Sequence, residues 1–305
     1  MTENAVLDTI TTNLRQHLAV LCDEIGPRSM SQPQALERTA RYVEEQFAAS
    51  GYSIEPQEYT WRGGTFRNLI VELPGEKRPE EIVVIGAHYD TVPQTPGADD
   101  NASAVAALLE LARLCRDRFG RDLRPARTVR FVAFTLEEPP AFFTPHQGSR
   151  VYAHALRQRK ERVVAMVALE MLGYYSDEPN SQRFPLLPLR WFYPTTGNFI
   201  GIIGNLRSLA LTRQVAQAMQ AGTDLPVEWL AAPPVIPGLA LSDHASFWVH
   251  NYRAVMVTDT AFYRNPHYHR PTDRPETLDF ERMAQCVPGL EEVVRELGQG
   301  ARERA

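Results

Sequence analysis

The sequence is poor in cysteine: it has only Cys22, Cys115 and Cys286, far apart and none beside a histidine at metal-ligand spacing. That excludes a disulfide framework and a cysteine-built zinc site, and buried thiols in a reducing cytoplasm are the expectation. The start, Met1 to Asp8, lacks the basic-then-apolar pattern of a secretory leader, and no apolar run is long enough to cross a bilayer. Positive charge is not in surplus either. With 32 Lys and Arg against 37 Asp and Glu, the formal net charge of −5 argues against nucleic acid or an anionic membrane as partner. Internal repeats are also missing.

What is present is a balanced composition. At 305 residues, 44% hydrophobic and 23% charged, the chain can bury a full core, and a single domain over residues 1–305 is expected. The Pro-rich stretches, Pro139 to Pro145 and Pro185 to Pro194, also carry Phe, Leu, Trp and Tyr that favour burial, so they read as ordered loops rather than linkers. Phe142, Phe143, Trp191, Phe192 and Tyr193 could line an apolar pocket, with plain packing as the alternative.

Periodicity supplies the elements. Ser31-Gln32-Pro33 offers a cap and an early proline before Leu36, Ala40, Val43 and Phe47 repeat at helical spacing up to Gly51. Phe66 to Leu73 and Ile82 to Ala87 read as strands, the second so continuously apolar that it should be covered on both faces. Asp99 to Ser103 offer capping side chains for a helix ending near Gly120. A buried strand over Val129 to Phe134 follows, then a helix from about Ser149, a strand through Val163 to Leu169, a helix from about Leu206, a strand near Ala254 to Val257 and a helix after Pro275. Alternation of strand and helix predicts an α/β fold, a three-layer α/β/α sandwich with a mixed, mainly parallel sheet. In such sheets ligands bind beyond the carboxyl ends of the strands.

Acids and histidines gather at those ends. His88-Tyr89-Asp90 sets a ligand-type imidazole two residues before an acid that could hold its second nitrogen. Gly97-Ala98-Asp99-Asp100-Asn101 places two acids where helix dipoles tolerate negative charge and a carboxylate can bridge two cations, although an ordinary cap explains the pattern as well. Glu137 and Glu138 directly follow an apolar strand and repel each other unless a cation or shared proton intervenes; one could bind metal while the other acts as a base. Glu170 closes another apolar run and needs a partner, either a metal or an arginine. In Asn265 to Asp273, either His267 or His269 could be a ligand. Two histidines and three carboxylates, one shared, are about what a two-metal catalytic site requires.

With these motifs in order, Ile25-Gly26-Pro27-Arg28, Gly86-Ala87-His88-Tyr89-Asp90, Pro96 to Ser103, Phe134 to Glu138, Ser242-Asp243-His244 and Tyr268-His269, the chain resembles, over nearly its whole length, the co-catalytic di-zinc aminopeptidase family. That family includes bacterial leucyl aminopeptidase and the Streptomyces aminopeptidase, with glutamate carboxypeptidase and glutaminyl cyclase as relatives. The resemblance implies two divalent ions, zinc by preference, one held by His88 and Glu170, the other by Glu138 and His269, with Asp100 bridging. It further implies Asp90 as the residue orienting His88, Glu137 as general base, Tyr268 as a donor to the oxyanion, a cis peptide between Asp100 and Asn101, and a peptide with a free N-terminus as substrate. Glu170 stands where the family usually has Asp. The link from the acid pair to Gly148-Ser149 is lengthened, so the rim should differ, and Ala104 replaces a common glycine. A glutaminyl-cyclase-like acyltransferase and a non-catalytic binding module are the rival readings. The 31 residues between Glu138 and Glu170 leave no room there for an inserted lid domain.

Overall fold

The computed structural model describes residues 3–119 and 124–300. Its strands are β1 (Glu55–Trp61), β2 (Gly64–Leu73), β3 (Arg78–His88), β4 (Arg127–Phe134), β5 (Arg162–Glu170), β6 (Ile200–Gly204), β7 (Val227–Ala231) and β8 (Ala254–Thr258). They form one eight-stranded sheet in the order β1-β2-β4-β3-β5-β8-β6-β7. The four central strands, β4-β3-β5-β8, run parallel, whereas β1, β2 and the β6–β8 junction pair antiparallel.

Helices cover both faces. α1 (Glu3–Leu18), α2 (Pro33–Ala49), α3 (Ala104–Phe119), α5 (Leu209–Gly222) and α7 (Phe280–Gln299) pack on one side; α4 (Gly148–Gln158) and α6 (His244–Val249) pack on the other. β3 divides its apolar run as expected. Val83 and Ile85 enter the larger core with α3 and α7, while Ile82 and Val84 join Phe134, Tyr152 and Phe247 on the opposite face.

Several local expectations need correction. Ser31 does not cap α2; Gln32 occupies that position without a side-chain cap, and the seryl hydroxyls of Ser29 and Ser31 are turned toward each other and the Gln32 amide. The acids at Asp99 and Asp100 are not ordinary caps either, since their carboxylates are committed elsewhere, as described below. Burial of the Pro-rich loop also fails: Trp191 and Phe192 are 76% and 78% exposed. α3 is described to Phe119, and the anticipated stop at Gly120 lies outside the described residues.

Arg28 fixes the loop that carries the first acids. It is wholly buried, yet its guanidinium donates to backbone carbonyls: Nε to Tyr89 O at 2.8 Å, Nη1 to Pro96 O at 2.6 Å and Nη2 to Gly97 O at 3.0 Å. Its own amide donates to the Thr91 hydroxyl at 3.1 Å. A planar fork can satisfy carbonyls spread this way; an ammonium cannot reach them all. Arg28→Lys is therefore expected to lower unfolding free energy by about 2 kcal/mol or more in denaturant titration, because buried carbonyls lose their donors. An unchanged midpoint would contradict this role.

Candidate metal centre

Three parallel strands deliver the site. His88 ends β3, Glu170 ends β5, and Glu137 and Glu138 follow β4; Asp100 comes from the turn before α3, and His269 from the loop after β8. The structure brings them into two groups sharing one member, His88 with Asp100 and Glu170, and Asp100 with Glu138 and His269. His88 Nε2 lies 3.4 Å from Asp100 Oδ1 and 3.4 Å from Glu170 Oε2. His269 Nε2 lies 3.1 Å from Asp100 Oδ2 and 3.2 Å from Glu138 Oε1. Donors about 2.0–2.1 Å from a tetrahedral zinc stand roughly 3.3 Å apart, so both groups fit such an ion. Asp100 presents one oxygen to each group, the disposition of a bridging carboxylate.

His267 is set apart. Its Nδ1 pairs with the Thr272 hydroxyl at 3.0 Å and its ring meets Tyr174, so of the two histidines of that loop only His269 falls in a donor group among the described residues. Tyr268 stacks on the His269 ring with centroids 3.8 Å apart. Burial, followed by the charges of Asp100 and the neighbouring glutamates, pushes its hydroxyl far up, so the phenol keeps its proton.

Around the donors runs a layer that grips their backbones. Asp90 Oδ1 is 3.5 Å from His88 Nδ1, longer than a hydrogen bond. Its two oxygens instead accept the amides of Glu137 at 2.9 Å and Glu138 at 3.1 Å. Asp90 thus fixes the acid pair at least as firmly as it faces His88. Asp273 does the same for the other pair, accepting from Asp99 N at 2.9 Å and Asp100 N at 3.1 Å. Asn101 Oδ1 accepts Met171 N, and Asp99 Oδ1 accepts Gly173 N, both at 2.9 Å, which ties down the segment after Glu170. The Asp100–Asn101 peptide is cis.

These grips answer a local cost. Leu136, Met171 and His269 all have positive φ, a conformation that side chains with a Cβ rarely adopt, and all three flank or supply donors. Gly97 at φ 59° is a true requirement, because a Cβ there would meet the Asp100 carbonyl oxygen at 2.2 Å. Ser242, which the sequence offered only as part of a motif, donates to Glu170 Oε2 at 2.7 Å. The longer glutamate arm is thereby oriented from outside the donor set, and among the described residues no arginine pairs with it.

Glu137 belongs to neither donor group. Gln147, at the end of the lengthened link, places its amide nitrogen 3.4 Å from Glu137 Oε1. Burial pushes the Glu137 carboxyl well up, with Glu138 and Glu170 adding to the rise and His88 opposing it. Glu138 is raised to about 8 by burial and by Asp100, against the pull of His269. Burial pulls His269 down, but bonds to Asp100 and Glu138 win and lift it to about 10.

These shifts favour protonated Glu138 and His269 near neutral pH, and a cation bound there would displace those protons. Binding of a divalent ion should release protons, and affinity should fall on acidification, since low pH favours the protonated donors. Zinc titration in a pH-indicator solution, with metal content measured at pH 5 and 8, checks both signs; tighter binding at the lower pH would contradict the assignment.

The family model of peptidase family M28 matches residues 68–294. The chain is 39% identical over 285 residues to the uncharacterized protein YfbL of Escherichia coli, covering 91% of this chain and 85% of that one. It is 28% identical to the probable aminopeptidase YDR415C of Saccharomyces cerevisiae, over 76% of this chain but only 57% of the yeast protein. Among solved structures, the zinc aminopeptidase BSAP from Bacillus subtilis superposes with a TM-score of 0.72 at 14% identity, covering 97% and 96% of the two chains. A glutaminyl cyclase from Bacteroides thetaiotaomicron bound to N-acetylhistamine superposes at 0.67 with 17% identity, covering 95% and 97%. Fold likeness alone does not separate those two chemistries. With a family model spanning most of its length and the donor geometry in place, the chain belongs to peptidase family M28.

Proposed function

We propose that the protein is a two-metal aminopeptidase, a single catalytic domain that removes the N-terminal residue from peptides with a free α-amine. The observation that carries this reading is the pair of donor groups joined through Asp100, with the acid Glu137 left over beside them. His88 and Glu170 would hold one ion, Glu138 and His269 the other, and zinc suits the nitrogen and oxygen donors, with cobalt or manganese also acceptable. Bound there, such ions supply Lewis acidity and lower the pKa of a water at the site.

The chain's own groups account for the remaining steps. Glu137 is placed to accept a proton from the attacking water and return it to the leaving amine, as a buried base held by Gln147. The substrate ammonium is drawn to Glu170 and Glu137, which sets the first carbonyl near the Tyr268 hydroxyl. That phenol, protonated at working pH, can donate to the oxyanion. Asp90 holds the Glu137–Glu138 backbone in register with His88. Three free, buried cysteines accord with the cytoplasm as the compartment, and among the described residues no helix is long and apolar enough to cross a membrane.

A cyclase that closes N-terminal glutamine onto itself shares the fold. The second donor group, and Glu137 standing outside both groups, favour hydrolysis.

Two outcomes are expected. Glu137→Gln should retain two metals per chain by elemental analysis while turnover falls by about 10²–10⁴-fold, whereas Glu138→Gln should lose metal as well. Equal metal loss in both would contradict the division of roles. On matched substrates, free peptides should be hydrolysed and N-acetylated ones left intact; comparable cleavage of both would defeat the aminopeptidase reading, and cyclisation of N-terminal Gln without hydrolysis would install the rival.

A further inference from the structure

The sheet itself extends the site sideways. Glu170 on β5 pairs with Thr258 on β8, Thr258 pairs with Gly201 on β6, and Gly201 pairs with Glu228 on β7. Directly paired residues point to the same face, so these four form one row beginning at a metal donor and ending at a second carboxylate. With strands about 4.8 Å apart, three steps put the Glu228 backbone roughly 14 Å from that of Glu170. The residues between are small. Glycine leaves the middle of the row without a side chain, and a Cβ there would find Thr258 O at 3.4 Å and Thr260 Cγ2 at 3.6 Å, ordinary contacts.

The row floors an open pocket that also touches Tyr268. A parallel row of Met256, Ile203 and Leu230 makes the floor apolar alongside it, and Leu239 and Tyr193 stand in the walls. Glu228 is half-buried in this apolar setting, and among the described residues neither an ion pair nor a hydrogen bond engages its carboxylate. Burial raises its pKa, which is the mark of an acid lacking a compensating cation. Arg183 also borders the cavity, but its side chain is exposed at the rim.

We infer that Glu228 is a specificity-determining residue, and that the cavity takes a long side chain of the substrate's first residue, an apolar stem with a cationic tip, as in lysine or arginine. The inference rests on the aminopeptidase reading, which places the substrate amine beside Glu170 and so directs the first side chain along the row. A short side chain stays near Glu170 and Thr258. A four-carbon stem lies over Gly201 with its methylenes against Met256 and Ile203, and its ammonium meets the unpaired carboxylate. A charge-assisted hydrogen bond in a half-buried setting gives about tenfold or more in discrimination.

Lysine and norleucine share the stem and differ in the amine, so their p-nitroanilides isolate the tip. Wild type is expected to show kcat/KM for lysine at least about tenfold above norleucine, and Glu228→Gln to bring the ratio near unity. The ratio is taken within each variant, so a general loss of folding cancels. Calorimetric titration with free lysine and free norleucine should show the same change without turnover. Gly201→Val, which plugs the row, should move preference toward alanine.

A lysine preference that survives Glu228→Gln, or wild type favouring a glutamyl substrate through Arg183, overturns the inference and leaves the aminopeptidase reading standing. No cleavage of any aminoacyl substrate by the metal-loaded protein overturns both.

Discussion

Mutual repulsion among buried acids is the constraint on which this structure turns. Asp90, Asp99, Asp100, Glu137, Glu138, Glu170 and Asp273 all lie at or near the carboxyl ends of the central strands, and all are buried. Neutral surroundings would make such a gathering untenable. The fold meets it in two ways. The donors face inward, where cations can neutralise them, and the acids behind them accept backbone amides. Asp90 and Asp273 perform the same service on opposite sides, each spanning two successive amides. Geometry at the centre is therefore set by hydrogen bonds that do not depend on an ion.

Much of this was legible in the sequence, because burial and charge leave traces there. Continuous apolar runs such as Ile82 to Ala87 mark strands covered on both faces, and an acid pair directly after such a run, as at Glu137-Glu138, is hard to explain without a partner. The proposed donor set is the one that the family resemblance implies, and the structure gathers those residues into two groups. Periodicity alone could not choose His269 over His267, since both sit in one polar loop and only the path of the chain separates them.

What escaped the sequence has physical reasons too. β1, with Glu55, Glu58 and Thr60 exposed, is an edge strand with polar residues facing water, and β6 and β7 are short, interrupted by Gly201 or Glu228. Short or solvated strands carry weak alternation. The holding roles of Asp273, Ser242 and Gln147 were invisible because each acts on a segment distant in sequence. The same holds for the row from Glu170 to Glu228: three strand pairings, none predictable from local pattern, place Glu228 in line with the centre. The exposed Trp191 and Phe192 show the converse error, in which aromatic residues in a Pro-rich loop were assigned to burial that the loop does not supply.

Arg28 gives the centre a property that its donors alone would not confer. Its positive charge lies beneath Asp90, Asp100 and Asp273, yet its hydrogen bonds run to carbonyls of the loop between Tyr89 and Gly97. The segment leading to Asp100 is anchored to the protein's interior by a cation that cannot diffuse away. An ion leaving such a site would take no scaffold with it, and the next would meet donors already in place. Metal exchange would then be separable from folding.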